Sequence, residues 1–192
     1  CGHCSMPEDP FKVKWSIPRE RSTTYGTIQQ LSDYLTSGFW IASGISVRKW
    51  NFGTSGTNPQ NGVLTVNMTG ATDWQGEGVT DSDGISNARK DVARAAFNIY
   101  EELLGIEFVE TTSNNADILF TDNVFRTDGG NRAFSQSWVS SDGIIEYNRI
   151  NITAGWAGSS NLINGDYILQ TFIHELGHTL GDVLCGSTGF FA

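Results

Sequence analysis

The sequence is poor in several kinds of residue, and each shortage excludes a class of protein. It has three cysteines in 192 residues, too few and odd in number for a closed disulfide framework. Its 12 basic and 21 acidic residues give a net charge of -9. That balance argues against a nucleic-acid partner, because phosphates favour a basic surface. No apolar run approaches the roughly 20 residues that a membrane helix needs, so no membrane partner is expected.

Length and composition predict one globular domain preceded by a leader. The chain is long enough to bury a core, and 39% of its residues are hydrophobic, which is ordinary for a globular protein. Residues 1–24 hold all but one of the four prolines and show little hydrophobic periodicity. We therefore predict a leader or propeptide-like segment over residues 1–24 and one domain over residues 25–192, acting as a monomer.

Histidine is also scarce, yet two of the three histidines lie four residues apart, in His174-Glu175-Leu176-Gly177-His178. Residues 167–173 before them are apolar at helical spacing, which predicts a helix. Side chains at i and i+4 share a helix face, so both imidazoles can bind one metal ion. Glu175 lies beside the first ligand and can take a proton from water. The pattern predicts Zn²⁺ held by His174 and His178, with Glu175 as the catalytic base. A surface helix with a chance histidine pair is the alternative.

The wider string from His174 to Gly181, His-Glu-Leu-Gly-His-Thr-Leu-Gly, resembles the metzincin metalloproteases. The metzincin pattern continues with two residues and a third histidine. This sequence has Leu184 there, and leucine cannot bind zinc. Within the metzincins the chain resembles the serralysin-like secreted bacterial proteases, from about Tyr25 to Gly181. Zinc as cofactor, protein or peptide substrates, and an extracellular location are what that resemblance implies.

The same resemblance implies a fold. The chain is expected to be α+β and metzincin-like, with a twisted mixed sheet of about five strands and two long helices. A C-terminal subdomain is expected to be missing, which would leave apolar surface exposed around Phe172 and Leu180. Residues 131–134 and 143–148 look like the substrate-side edge strand of that family and the strand after it. Ala133, Phe134 and Ser135 are therefore the expected substrate-binding residues.

Two functions follow as expectations. The first is a zinc-dependent metalloendopeptidase that hydrolyses peptide bonds through a metal-activated water, with Glu175 as general base. The alternative is a catalytically impaired metzincin-fold binding protein, because the third histidine position is Leu184. A calcium ion is a weaker expectation for Asp73, Asp81 and Asp83, which lack a twelve-residue calcium-loop pattern; a solvated loop fits them better.

Patterning also places the other elements. Alternation over residues 63–68 predicts the first strand of the main sheet. Apolar residues at helical spacing predict helices over residues 27–36, ended by Gly38, and over residues 85–104. Strands are predicted over residues 106–110 and 116–120. Irregular or loop structure is predicted over residues 39–61, 73–82 and 151–164.

Overall fold

The computed structural model describes residues 27–52, 62–156 and 167–182. It contains two long helices, three short helical segments and seven strands. The helical segments are α1 (Ile28–Asp33), a π-helical turn (Tyr34–Gly38), α2 (Phe39–Ala42), α3 (Asn87–Leu104) and α4 (Tyr167–Thr179). The strands are β1 (Val63–Asn67), β2 (Ala71–Trp74), β3 (Val79–Asp81), β4 (Glu107–Glu110), β5 (Ile118–Thr121), β6 (Ala133–Val139) and β7 (Ile145–Ile152).

Five of the strands form one mixed sheet in the order β4-β1-β5-β7-β6. The first four are parallel to their neighbours, whereas β6 runs antiparallel to β7 at the edge. Helix α3 lies in the connection from β1 to β4, and parallel neighbours require such a crossover. The predicted α+β class and the mixed five-stranded sheet are confirmed.

The long helices α3 and α4 pack against each other, and the main core lies between them and the sheet. The sheet contributes Leu64, Val66, Phe108, Ile118, Phe120, Ile150 and Ile152, and the helices contribute Val92, Ala96, Phe97, Ile168, Phe172 and Leu176. The β2–β3 hairpin forms a second, smaller cluster in which Trp74 and Val79 pack with Leu119 of β5. Helix α4 is therefore held on its apolar side by α3 and by the sheet.

The loop predicted over residues 73–82 is wrong, since it contains most of the β2–β3 hairpin. Its glycines lie in the turn between the strands, and Asp73 of β2 and Gln75 of the turn have positive φ angles. Trp74 is fully buried and makes edge-on contacts with the rings of Trp138 and Tyr147. This tertiary contact stabilises two strands that are too short for local patterning to reveal.

Two other predicted boundaries are wrong. Gly38 does not end the first helix, because the chain stays helical into α2, where the Trp40 indole nitrogen donates to the carbonyl of Gly181. The predicted loop over residues 151–164 begins too early. Asn151 and Ile152 still belong to β7 and pair with β6.

The expected exposure of Phe172 is also wrong. Its side chain is 1% exposed and its ring stacks on Phe120 at a centroid distance of 5.8 Å; Leu180 is half-buried. The leader over residues 1–24, with its boundary at residue 25, lies outside the described residues, as do residues 183–192. The expected absence of a C-terminal subdomain therefore stays a prediction. Within the described residues, no helix is both long and apolar enough to cross a membrane.

Candidate metal centre

The C-terminal end of α4 is shaped by Gly181. This residue has a φ of +95°, a conformation that side chains rarely adopt. A Cβ atom there would also lie 2.5 Å from the carbonyl oxygen of Arg48. After the glycine, the backbone N–H of Asp182 donates to the carbonyl of Gly177, which caps the last helical turn. The chain therefore leaves the helix at this glycine, and the turn brings Asp182 back beside His178.

His174 and His178 lie together on one face of α4. Their Nε2 atoms are 3.1 Å apart, and their rings are nearly perpendicular. The Nδ1 atom of His178 lies 3.1 Å from the carbonyl oxygen of Asp182. A carbonyl can only accept a hydrogen bond, so Nδ1 of His178 carries the proton and its Nε2 keeps a free lone pair.

Both imidazoles are held in the neutral form that metal binding requires. Burial lowers the pKa of His174, and the neighbouring His178 lowers it further. Burial also lowers the pKa of His178, against the opposing effect of its hydrogen bond to the Asp182 backbone. Neutral imidazoles with adjacent Nε2 atoms suit metal binding better than they suit an ion pair.

The two histidines fit a zinc ion. Zinc–nitrogen bonds of about 2.0–2.1 Å in tetrahedral geometry separate two ligand nitrogens by roughly 3.3 Å, close to the 3.1 Å between these Nε2 atoms. A third protein donor is not found among the described residues, where no group of three His, Cys, Asp or Glu side chains could hold a metal. Leu184 and His3 lie outside those residues. The described part of the chain thus offers two ligands, and their role stays a prediction.

Glu175 points its carboxylate into the protein rather than into solvent. The residue is 5% exposed, and its Oε2 atom has no hydrogen-bond partner among the described residues. Burial raises the pKa of Glu175 to about 7, against a backbone hydrogen bond from Ser135 that lowers it. A buried carboxylate with one such oxygen is costly to stability, and perturbed groups of this kind concentrate at functional sites. A carboxylate with a pKa near neutrality can both accept and return a proton.

The predicted substrate-binding residues lie on β6, at the edge of the sheet. Ala133 pairs with Ile152 and packs against the main core, and Ser135 contacts α4 through its hydroxyl. Phe134 lies on the other face, where the guanidinium groups of Arg132 and Arg149 stack on its ring. The Phe134 side chain therefore lies on the face of the sheet opposite α4. Substrate binding by these three residues stays a prediction.

Sequence reasoning missed the side chains that hold the end of α4 in place. The indole nitrogen of Trp50 donates to the carbonyl of Thr179 at 2.8 Å, and that of Trp40 donates to the carbonyl of Gly181 at 3.2 Å. These partners lie 129 and 141 positions apart in the chain. No local pattern signals contacts over such separations.

Two of the three aspartates considered for calcium, Asp73 and Asp81, serve turns in this structure. The carboxylate of Asp81 is buried and accepts from the backbone of Gly84 at 2.9 Å. That of Asp73 accepts from the backbone of Gly78 at 2.8 Å. The solvated-loop interpretation is therefore wrong for Asp81, whose carboxylate closes the turn before α3. Calcium binding stays an untested expectation.

No protein-family model and no curated protein matches the chain. Twenty-two chains of solved structures match it. One is the crystal structure of myroilysin, 22% identical, with a TM-score of 0.35 over 82% of this chain and 57% of that one. The chain therefore spans just over half the length of that protein. A likeness this loose decides no functional question, so function has to be inferred from the residues of the site itself.

Proposed function

We propose that this chain carries the catalytic centre of a zinc-dependent endopeptidase of the metzincin, serralysin-like kind, acting outside the cell. The observation that carries the proposal is the joint placement of His174, Glu175 and His178. Two neutral imidazoles present adjacent Nε2 atoms on one helix face, and one oxygen of the buried carboxylate between them has no hydrogen-bond partner in the described part of the chain. An i, i+4 histidine pair with an unpaired acid is typical of metal-assisted hydrolysis.

The edge strand supports a peptide as substrate. Strand β6 pairs with β7 on one side only within the described sheet. An extended peptide can add to the other side through backbone hydrogen bonds, which select for extended conformation with little dependence on sequence. Because β6 contacts α4, a peptide on that edge would run past Glu175.

The chemistry divides between the metal and the protein. Zinc bound by His174 and His178 would lower the pKa of water towards about 7 and polarise a carbonyl group. Glu175 accepts the proton of the attacking water and later returns a proton to the leaving amine. The carbonyl of Asp182 keeps the Nε2 of His178 available as a ligand. Burial of Glu175 keeps competing solvent away from the proton that it carries.

The test combines metal analysis with peptide hydrolysis. The wild-type chain should retain zinc after dialysis, His174→Ala should lose it, and Glu175→Gln should retain zinc but lose about 10²- to 10⁴-fold in turnover. Glu102→Gln is the control, because Glu102 is an exposed acid on α3 and its variant should behave as wild type. Stoichiometric zinc in His174→Ala, or full turnover in Glu175→Gln, would refute the assignment.

A second candidate is a catalytically impaired metzincin-fold binding protein. The observation that favours it is the donor count, since the described residues offer zinc two imidazoles and the sequence has Leu184 at the third histidine position. This candidate would be favoured if the chain retains zinc and binds an unstructured protein tightly but does not hydrolyse it. Hydrolysis that a chelator abolishes and zinc restores would exclude it.

A further inference from the structure

Asn148 of β7 forms a buried polar junction between the edge strand and the helix of the candidate metal centre. Its side chain is fully buried. The amide nitrogen donates to the hydroxyl of Ser135 at 3.0 Å and to that of Ser137 at 2.8 Å, both on β6. The amide oxygen accepts from the hydroxyl of Thr179 on α4 at 3.0 Å. One side chain therefore bonds to both elements that border Glu175.

The hydroxyls of Ser135 and Thr179 complete a closed ring with Asn148. They lie 3.0 Å apart, and either can donate to the other. When Asn148 donates to Ser135, Ser135 can donate to Thr179 and Thr179 can donate back to Asn148, so every member both gives and accepts a proton. Rings of this kind polarise their members and strengthen each bond. The relative position of β6 and α4 is thus defined by hydrogen bonds as well as by apolar contacts.

Two contacts join the ring to Glu175. The hydroxyl of Thr179 also lies 3.0 Å from the carbonyl oxygen of Glu175, so that carbonyl and the Asn148 amide oxygen share its one proton. The backbone N–H of Ser135 donates to the Glu175 carboxylate. Ser135 thus uses its hydroxyl in the ring and its backbone N–H on the carboxylate. A shift of β6 relative to α4 would change the second bond.

We propose that Asn148 is a positioning residue for Glu175, acting through Ser135 and Thr179. It keeps the Ser135 N–H at hydrogen-bonding distance from the Glu175 carboxylate and so sets the orientation of the acid. The catalytic consequence rests on the proposed peptidase function, whereas the geometric consequence does not. A buried polar group is costly unless it is fully hydrogen-bonded. An apolar side chain at position 148 would therefore join the strand and the helix with similar stability. The asparagine adds hydrogen bonds, which are directional and so fix the orientation of β6 relative to α4, whereas apolar contacts are not directional.

The test compares Asn148→Ala with Asn67→Ala. Asn67 on β1 is the matched control, because it is also fully buried and makes four side-chain hydrogen bonds, none of them to β6 or α4. Both variants should lose thermal stability. Thr179→Val is a second ring variant that keeps Asn148 and the helix. It replaces Asn148→Ala in the test if that variant does not fold.

The first readout is amide hydrogen exchange in protein treated with a chelator. In Asn148→Ala or Thr179→Val, the Ser135 amide should exchange about tenfold faster relative to the β6 amides that bond to β7, the equivalent of one lost hydrogen bond. In Asn67→Ala that ratio should match wild type. An unchanged ratio in both ring variants overturns the proposal, whether or not the chain is a peptidase.

The second readout is kinetic and uses zinc-loaded protein. Misorientation of the base should lower kcat by about 10- to 100-fold in the ring variants while KM stays nearly constant. Asn67→Ala should keep the wild-type kcat. A fall in kcat that Asn67→Ala shares would overturn the proposal by showing a general loss of structure. A wild-type chain that hydrolyses nothing contradicts the proposed function, and the exchange ratio then decides the positioning role alone.

Discussion

Replacing Glu175 with glutamine should stabilise the zinc-free protein at alkaline pH, although Glu175 is the proposed catalytic base. The residue is 5% exposed, and burial raises its pKa from 4.5 to about 7. The folded state therefore binds this proton more tightly than the unfolded state does. The contribution of Glu175 to stability is fully present below pH 4.5 and is lost as the pH rises through about 7.

The size of the effect follows from the two pKa values. A rise from 4.5 to about 7 costs about 3 kcal/mol of folding free energy once the group is ionised, at about 1.4 kcal/mol for each pH unit. Glutamine has a similar shape and does not ionise. The stability of Glu175→Gln minus that of wild type should therefore increase by about 3 kcal/mol between pH 4.5 and pH 8.

Urea unfolding with a chelator present, at both pH values, measures this difference. Comparing each variant with wild type at the same pH cancels the titration of His174 and His178, which both proteins share. Glu102→Gln provides the control, since this exposed acid on α3 should show no such increase. If the difference between Glu175→Gln and wild type is the same at pH 4.5 and pH 8, burial does not raise the pKa of this carboxylate and the reasoning fails.

Two further predictions concern stability. Phe172→Ala should destabilise the fold by about 3–5 kcal/mol in chemical unfolding, because the 1% exposed ring leaves a cavity beside Phe120; a loss below about 1 kcal/mol would mean that this side of α4 is solvated. Arg89→Met should cost about 3 kcal/mol, because the buried guanidinium donates to the carbonyls of Ile152, Ala154 and Trp156, which would lose a charged donor. Calorimetry checks the second prediction, and a melting temperature equal to wild type would contradict it.

The candidate site illustrates how far local pattern reaches. Four-residue spacing puts His174 and His178 on one helix face in any α-helix, so their proximity follows from helical geometry alone. Gly181 could likewise be identified as the helix end, because a left-handed residue there favours glycine. Strands β1, β6 and β7 were recognisable because alternation or a family resemblance marked them. These features depend on neighbours within a few positions.

The pKa of Glu175 could not be predicted in this way. Its value of about 7 arises from burial between α4 and β6, and a single helix would leave the same carboxylate in water. The short strands β2 and β3 depend in the same way on Trp138 and Tyr147, which pack on Trp74 from another part of the chain. Composition alone indicated a loop there because turn residues outnumber strand residues.

The sequence by itself determined the histidine pair, the acid between them and the two long helices, because residue spacing and a motif indicate each of them; the mixed sheet was expected from the family resemblance. Only the tertiary structure decided that Glu175 is buried with one oxygen unpaired among the described residues, that Phe172 lies inside the core, and that Asn148 connects β6 to α4. Asn148 and Thr179 are 31 positions apart, and nothing in either neighbourhood signals the other. Burial and long-range hydrogen bonds depend on which elements pack together, a property of the whole chain rather than of any segment.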